Sequence, residues 1–347
     1  MSEYDIHVDM MPSSARYRSI AVYESNDQTL RDSVIARGNI IETRPLLCTY
    51  ARHTDGENTF FASLAGHEAP HLIIKSGSDF QLIMLTAEPA LTAKVLIRLI
   101  REITLRTCES EGGIFAHAAA VASQDKGLLI IGESGAGKTT LSGELSRNAS
   151  YELIANDRAL LTKSGENVSA SRWPIYVRVS ADQIRHWGLN VQISQLRRYK
   201  AAENSGDSRI DNWPANKKIE LTPLEYAQFL GAKRRQTTPI CALLLPKLRL
   251  DASFSIKEES PLSRSSLTDT IRTPIDIEFP VDWLSIRGDD FDSKAQIRDT
   301  LTSALLSLPT FSLTACPLKL RQHLGTISVF IEKGLSKRSR QNKEITI

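Results

Sequence analysis

The sequence contains few cysteines, and they lie far apart. There are four in 347 residues, at Cys48, Cys108, Cys241 and Cys316. Zinc sites and redox motifs bring cysteines within a few residues of each other, and disulfide-rich secreted domains are much denser in cysteine. The number and spacing of the cysteines argue against a zinc site, a redox motif and a disulfide-rich domain. We expect unpaired structural thiols in a reducing cytoplasm.

The sequence also lacks long apolar runs and a strong charge of either sign. No uninterrupted run reaches the roughly 18 apolar residues that a membrane-spanning helix needs. The segment Met1–Pro12 contains ionisable side chains and no apolar stretch, so we expect no signal peptide. The formal net charge of +3 is too small to indicate nucleic acid or a membrane as a partner. We predict a cytoplasmic protein.

Residues 1–110 are predicted to form a small β-rich domain. Four short runs rich in β-branched and aromatic residues alternate with turn-forming clusters; they are Tyr17–Tyr23, Phe60–Leu64, His71–Lys75 and Phe80–Leu85. The spacing of Val95, Leu99 and Ile103 then predicts an amphipathic helix over Leu91–Cys108. The same spacing places Arg106 on the face of that helix that is turned to water.

Residues 111–333 are predicted to form an α/β domain. Apolar runs over Ala116–Ala122, Lys126–Ile131 and Tyr151–Ala155 indicate buried strands, and a helical pattern over Thr139–Arg147 separates the last two. This strand–helix–strand order predicts a mostly parallel central sheet with helices on both faces.

The rest of this domain has weaker signals. They predict a hairpin over Ala159–Thr162 and Asn167–Ser171, helices over Leu221–Leu230 and Ser293–Ser307, and a strand over Ile240–Pro246. The polar segment Gly188–Asn216 is interpreted as a solvated loop, with a substrate lid as the alternative. The basic segment 334–347 is predicted to be a disordered tail.

A glycine-rich loop joins the predicted strand Lys126–Ile131 to the predicted helix Thr139–Arg147. Its sequence is Gly132-Glu133-Ser134-Gly135-Ala136-Gly137-Lys138-Thr139, which matches the phosphate-binding pattern G-x4-G-K-[ST]. Glycines let successive N–H groups turn towards a phosphate, and the helix N-terminus adds partial positive charge. We expect Lys138 to pair with the β- and γ-phosphates and Thr139 to bind Mg²⁺, while Thr140 completes the predicted nucleotide-binding set. The pattern in this context predicts a site for ATP and magnesium.

Polar residues near this loop are candidates for the chemistry. Asn156 and Asp157 end the strand after the helix, where a carboxylate can hold magnesium or its water, or accept a proton from an attacking hydroxyl. Arg158 either lies at the surface or neutralises charge on a transferring phosphoryl group. His117 lies on the strand before the loop strand, fifteen residues before Gly132, and a lone histidine in a strand is usually structural.

Together, His117, the loop GESGAGKT and the strand ending LIAND (153–157) resemble the HPr kinase/phosphorylase superfamily. That family has a histidine at this spacing, a GxSGxGKS loop and a strand ending LIADD, and phosphoenolpyruvate carboxykinase is a distant relative. The resemblance covers 114–162 and implies an HPr-kinase type of fold. It also implies that Lys138 and the loop amides hold the phosphates, that Thr139 and Asp157 bind Mg²⁺, and that His117 lies near the transferring group. The catalytic residues would be Asp157, His117 and Lys138.

The sequence departs from this family in two places. The family's first aspartate, which usually has the general-base role, is Asn156 here, and an amide does not accept a proton at neutral pH. The glycine-containing segment that helps the family recognise the HPr protein is also not found, so we expect a different acceptor. Related kinases are oligomers, which implies a homo-oligomer.

We hypothesise an ATP-dependent kinase that phosphorylates a hydroxyl of a small molecule, a peptide or a protein. Phosphoryl transfer needs little beyond positioning and charge stabilisation, and both are indicated by the motifs above. Two alternatives stay open. One is a nucleotide sensor without catalysis, which Asn156 favours, and the other is an ATPase subunit that drives a conformational change in a partner.

Overall fold

A computed structural model describes residues 19–44, 48–67, 69–86, 88–165, 167–173, 176–188, 213–267, 281–287 and 295–344 of the chain. One compact unit contains the described residues up to 111 together with 281–287, and the other contains those of 112–267 and 295–344. The predicted domain over 111–333 runs without interruption, whereas the structure groups 281–287 with the first unit. The reason is apolar packing: Trp283 stacks on Tyr50, with ring centroids 4.8 Å apart, and Leu284 is fully buried in the same core.

The first unit is built on a six-stranded sheet. Its elements are β1 (Ile20–Glu24), α1 (Thr29–Arg37), β2 (Asn39–Arg44), β3 (Cys48–Asp55), β4 (Asn58–Ser63), β5 (His71–Ser76), β6 (Asp79–Met84) and α2 (Pro89–Ser110). The strand order is β1-β6-β5-β4-β3-β2. Strands β2 to β6 pair antiparallel, and β1 pairs parallel with β6. Gly56 and Gly77 make the tight turns after β3 and β5 with φ of 58° and 59°, which glycine adopts without steric cost.

Helix α2 has the predicted apolar stripe, but its predicted polar face fails at Arg106. Val95, Leu99 and Ile103 belong to the core of this unit. Arg106, which the helical spacing turns to water, is fully buried. Its guanidinium group donates to Glu102 at 2.6 Å, to Glu109 at 2.8 Å and to the Val281 carbonyl at 2.9 Å. The prediction is wrong because the segment that covers Arg106 lies 175 positions later in the sequence, beyond the reach of a periodicity argument.

The second unit contains the remaining elements. They are β7 (Ile114–Ala116), β8 (Ala119–Ser123), β9 (Lys126–Ile130), α3 (Lys138–Asn148), β10 (Glu152–Ala155), β11 (Ala159–Ser164), β12 (Asn167–Arg172), β13 (Val177–Ser180), α4 (Ala181–His186), β14 (Lys218–Leu221), α5 (Pro223–Leu230), β15 (Thr237–Leu248), β16 (Ser255–Glu259), α6 (Arg264–Leu267), α7 (Ala295–Leu306), β17 (Thr310–Ala315) and α8 (Leu320–Glu344). Strands β13 and β14 form a small separate sheet. Most of the predicted loop or lid over Gly188–Asn216 lies outside the described residues.

The large sheet is mixed, so the predicted mostly parallel sheet is wrong. Its nine strands include the path β10-β8-β9-β15-β12-β11-β7, and β17 pairs with both β15 and β16. Among the described strands of this sheet, only the pairs β9–β15 and β15–β17 are parallel. Short turns join β8 to β9 and β11 to β12, and connections of that length allow only antiparallel pairing.

The predicted single strand over Ala116–Ala122 is interrupted at His117. Strand β7 pairs with β11, whereas β8 pairs with β9 and β10. His117 and Ala118 lie between them, where the chain changes partners. The histidine is therefore at a break between strands and not within one.

Helices cover both faces of the large sheet, as the sequence predicts. In and just after β9, Leu128 and Ile130 enter one core while Leu129 and Ile131 enter another. Helices α3, α4, α5 and α8 contribute apolar residues to the first core, and α7 contributes to the second. The loop after β9 leads directly into α3, one of the helices of the first core.

Helix α8 continues to Glu344, so the predicted disorder is wrong for residues 334–344. Leu324, Ile327 and Ile331 are buried on the earlier turns of the helix, and the following stretch is rich in Lys and Arg and contains no proline. Such residues extend a helix that is already nucleated. Among the helices in the described part of the chain, none has the length and apolarity needed to span a membrane.

His71 is a buried titratable group in the first unit. Its Nδ1 lies 2.8 Å from the Ala69 carbonyl and its Nε2 lies 2.9 Å from the Tyr50 hydroxyl. A neutral ring satisfies both contacts, because Nδ1–H donates to the carbonyl and Nε2 accepts from the hydroxyl. Burial, opposed by the Ala69 hydrogen bond but reinforced by nearby positive charges such as His67, lowers the pKa of His71 to about 3.

We expect the first unit to lose stability as the pH falls from about 6.5 towards 3. In this window the unfolded chain protonates at residue 71 and the folded chain does not, so stability decreases by up to ~1.4 kcal/mol per pH unit. Denaturant unfolding at several pH values measures this slope. In His71→Gln the slope should be smaller, while His53→Gln, a change on β3, should keep the wild-type slope. Equal slopes in all three proteins would contradict the assignment.

Candidate phosphate-binding site

The loop between β9 and α3 turns at three glycines. Backbone φ is 147° at Gly132, 83° at Gly135 and 101° at Gly137. Gly137 is doubly constrained, because side chains disfavour this φ and a Cβ atom there would lie 2.5 Å from the side chain of Leu248. Leu248 ends β15, and its N–H donates to the Ala136 carbonyl at 3.1 Å. The loop is therefore held against the end of the neighbouring parallel strand.

Lys138 begins α3, and its ammonium group turns back onto the loop. The residue is 7% exposed, and Nζ donates to the carbonyl oxygens of Gly132 at 2.7 Å and of Glu133 at 3.0 Å. At the tip of the loop, Glu133, Ser134 and Gly135 are exposed. The N-terminus of α3 adds partial positive charge at the same end. Helix N–H groups, glycines and a cation thus meet in one place, which is the arrangement that binds a phosphate.

The two threonines after Lys138 face different environments. The Thr139 carbonyl accepts from Ser142 Oγ at 3.1 Å and from the Tyr226 hydroxyl at 3.4 Å. The Thr140 hydroxyl donates to Gln183 Oε1 on α4 at 2.8 Å. That hydroxyl therefore links α3 to α4. The group of Thr140 that can face a phosphate is its backbone N–H, which lies in the first turn of the helix.

Asn156 follows β10 and contacts α3, the helix after the glycine loop. Its Oδ1 accepts from Ser142 Oγ at 3.1 Å, and the residue is 6% exposed. Within the described part of the chain, its Nδ2 has no hydrogen-bond partner and is screened from solvent. The amide is thus fixed by one oxygen contact to α3 and leaves a buried donor.

Asp157 lies at the centre of a charged group. Its φ of 71° is in the left-handed region, which Asp tolerates better than most side chains. Carboxylate Oδ1 lies 3.2 Å from His117 Nε2, and Oδ2 lies 3.5 Å from Arg158 Nε. Burial raises the pKa of Asp157, but the hydrogen bond and charge of His117, followed by those of Arg158, outweigh it, so this pKa lies below its ordinary value. The carboxylate is ionised at neutral pH.

Arg158 is not the exposed residue that one interpretation of the sequence expects. It is 8% exposed, and its guanidinium carbon lies 5.2 Å from the centre of the Phe115 ring. This cation–π contact and the contact with Asp157 hold the guanidinium group beside the carboxylate.

The structure brings the predicted residues together in two groups. His117 and Arg158 surround the Asp157 carboxylate, whereas Asn156 is joined to α3. Ser142, which forms the hydrogen bond between α3 and Asn156, is not identified by the sequence reasoning. A signal was available, because Ser142 lies four residues after Lys138 and therefore on the same side of α3. No sequence pattern points to Gln183.

Magnesium needs oxygen ligands, and the site offers them. The candidate donors are the Thr139 hydroxyl and the Asp157 carboxylate, and Mg²⁺ with a nucleotide usually takes only one or two protein carboxylates beside phosphates and waters. Across the described residues no group of three or more His, Cys, Asp or Glu side chains forms a metal cluster, and Cys108, Cys241 and Cys316 are free thiols. The donor set therefore fits magnesium carried by phosphates, and not a closed cage of protein ligands.

The chain matches no family model and no curated protein. Among solved structures it is similar to the HPr(Ser) kinase/phosphatase from Coxiella burnetii, with a TM-score of 0.28 and 13% sequence identity. The match covers 63% of this chain and 98% of that one. A similarity this distant carries no argument about activity, so the function is inferred from the residues of the site.

Replacing Gly137 by alanine should remove phosphate binding at the loop. The new Cβ would meet Leu248, and the left-handed backbone costs about 1–2 kcal/mol for a residue with a side chain. Gly165→Ala is the matched control, because Gly165 has a φ of 60° with no atom near its missing Cβ. Both variants should melt earlier, but only Gly137→Ala should lose the melting-temperature increase caused by MgATP. An equal MgATP response in the two variants would show that the loop does not hold the phosphates.

Proposed function

We propose that this chain is an ATP-dependent kinase that transfers the γ-phosphoryl group to a hydroxyl of a small molecule, a peptide or a protein other than HPr. One observation carries the proposal. A glycine loop with the full phosphate-binding pattern leads into α3. The next strand, β10, is followed two residues later by the ionised carboxylate of Asp157, beside His117. Phosphate binding and proton acceptance are the two tasks of a phosphoryl-transfer site.

The loop and Lys138 would bind the nucleotide. The Lys138 ammonium group now donates to two loop carbonyls, and phosphate oxygens are stronger acceptors because they are charged. Exchange of these partners would move the ammonium group onto the β- and γ-phosphates. Thr139 and Asp157 would hold Mg²⁺, which when bound neutralises negative charge on the phosphates.

Asp157 would accept the proton of the attacking hydroxyl. As the acceptor oxygen bonds to the γ-phosphorus, the bond from that phosphorus to the ADP oxygen breaks, and the hydroxyl proton passes to the Asp157 carboxylate. The lowered pKa means that Asp157 does not retain the proton, and its side chain is 42% exposed, so water can take the proton away. His117 Nε2 and Arg158 orient the carboxylate for this step, and both are positioning residues.

A second candidate function is a nucleotide sensor without phosphoryl transfer. The buried Asn156 amide favours it, because the HPr-kinase pattern expects a carboxylate at that position and an amide accepts no proton. Such a protein would bind MgATP and would label no acceptor. Incubation with γ-labelled ATP and a cell extract separates the two functions, since only the kinase yields a labelled hydroxyl compound.

Lys138→Ala should abolish stabilisation by MgATP. A ligand that binds only the folded state stabilises it by about 2.7 kcal/mol at ~100 times its Kd, and this variant removes the ammonium group that pairs with the phosphates. Thermal melts with and without MgATP measure the effect. Lys163→Ala, which removes an exposed lysine of β11, should respond as the wild type does. A full response in Lys138→Ala would place nucleotide binding elsewhere.

Asp157→Asn should slow phosphoryl transfer by about 10²-fold or more, the usual scale for losing a general base. The amide keeps the shape of the carboxylate but accepts no proton and binds Mg²⁺ weakly, so MgATP binding should survive in weakened form. The measurement is the initial rate of acceptor labelling at saturating MgATP. Asp125→Asn removes an exposed carboxylate that is paired with Arg235 and should leave the rate unchanged. Unchanged turnover in Asp157→Asn would remove this residue from the mechanism.

A further inference from the structure

Asn156 has a buried hydrogen-bond donor that no described residue uses. The residue is 6% exposed, and its Nδ2 is screened from solvent without a partner in the described part of the chain. Buried polar groups in folded proteins nearly always have a partner, and an exception at a candidate site calls for an explanation such as a ligand, an ion or an ordered water. The donor therefore needs an explanation that packing does not supply.

The Ser142 hydroxyl contacts the oxygen end of this amide. The Ser142 hydroxyl lies 3.1 Å from Asn156 Oδ1 and 3.1 Å from the Thr139 carbonyl, and with one proton it donates to one of them at a time. Bonding to Oδ1 turns the NH₂ group of the amide away from Ser142. Because Ser142 lies one helical turn after Lys138, the amide contacts α3 on the side of the helix that carries Lys138.

The position of the amide selects the terminal phosphate as its acceptor. In a phosphate-binding loop the backbone N–H groups surround the β-phosphate, and the γ-phosphate extends towards residues that assist the transfer. Asn156 immediately precedes Asp157, the candidate base. The Lys138 ammonium group is turned onto the carbonyls of Gly132 and Glu133. A bound phosphate would take the place of these carbonyls at Nζ, and its terminal oxygen would have to come within hydrogen-bond reach of the Nδ2 that is now screened.

We propose that Asn156 Nδ2 donates a hydrogen bond to a γ-phosphate oxygen and so makes this chain prefer a nucleoside triphosphate over the diphosphate. The inference rests on the proposed function and extends it to a residue that sequence reasoning treats as a defect. Asn156 is then a specificity-determining residue, and Ser142 is the positioning residue that holds it. An ionised aspartate could not do this, since a carboxylate accepts hydrogen bonds only and would repel the phosphate.

The test compares the affinities of full-length protein for magnesium with a non-hydrolysable ATP analogue and for MgADP, both by calorimetry. A hydrogen bond to a charged group is equivalent to roughly 10- to 100-fold in affinity. Asn156→Leu should weaken binding of the analogue by that factor and leave MgADP unchanged. Ser142→Ala, a smaller change that keeps the fold if the leucine variant does not, should lower the same affinity ratio in part. Ser146→Ala removes another buried hydroxyl of α3 without a partner in the described residues and should not alter the ratio.

The outcomes separate this inference from the proposed function. If the wild type binds neither nucleotide, the proposed function fails. If it binds both, and Asn156→Leu weakens both equally, the amide only supports the fold of the site and the inference is overturned. An unchanged ratio in Ser142→Ala together with an unfolded Asn156→Leu protein would overturn it as well.

Discussion

The contact between Gly137 and Leu248 is the constraint on which the candidate site depends. A glycine in the left-handed region, with no room for a Cβ atom beside Leu248, fixes where the loop ends and α3 begins. Leu248 ends β15, which pairs in parallel with β9, so the two strands hold the loop from both ends. The start of α3 sets the direction of the Lys138 side chain and the position of the helix N-terminus. The geometry of the candidate phosphate site thus depends on two adjacent parallel strands in a sheet that is otherwise mostly antiparallel.

One side of α3, which carries Gly143 and Glu144, is held by Trp187, just after α4, and by Tyr226 of α5. Glu144 is 2% exposed and accepts from Trp187 Nε1 at 2.8 Å and from Asn148 Nδ2 at 2.8 Å. A Cβ atom at Gly143 would meet the Trp187 ring at 2.6 Å. A buried carboxylate is stable only with such partners. These contacts hold α3 in place behind the loop.

Sequence reasoning identifies local features here and misses those set by distant partners. The strand–loop–helix order around Gly132–Thr139 and the helix stripe of α2 are visible because they follow from residue types a few positions apart. Burial of Arg106 depends on residues 281–287, and the mixed sheet depends on which strands become neighbours, so neither is encoded locally. The same distinction holds within the site. Lys138 is recognised from its motif. The hydrogen bond between Ser142 and Asn156 connects α3 to the end of β10, and only the structure shows it.

The charge balance at the end of β10 explains why an amide and a carboxylate can stand side by side there. Asp157 is 42% exposed and has His117 and Arg158 next to its two oxygens, so its negative charge is compensated. Position 156 is buried, and Ser142 is its hydrogen-bond partner among the described residues. A second carboxylate would be desolvated there beside a like charge, which raises its pKa and favours the neutral form. An uncharged donor fits position 156 better, and its unused N–H can donate the hydrogen bond that a phosphate oxygen accepts.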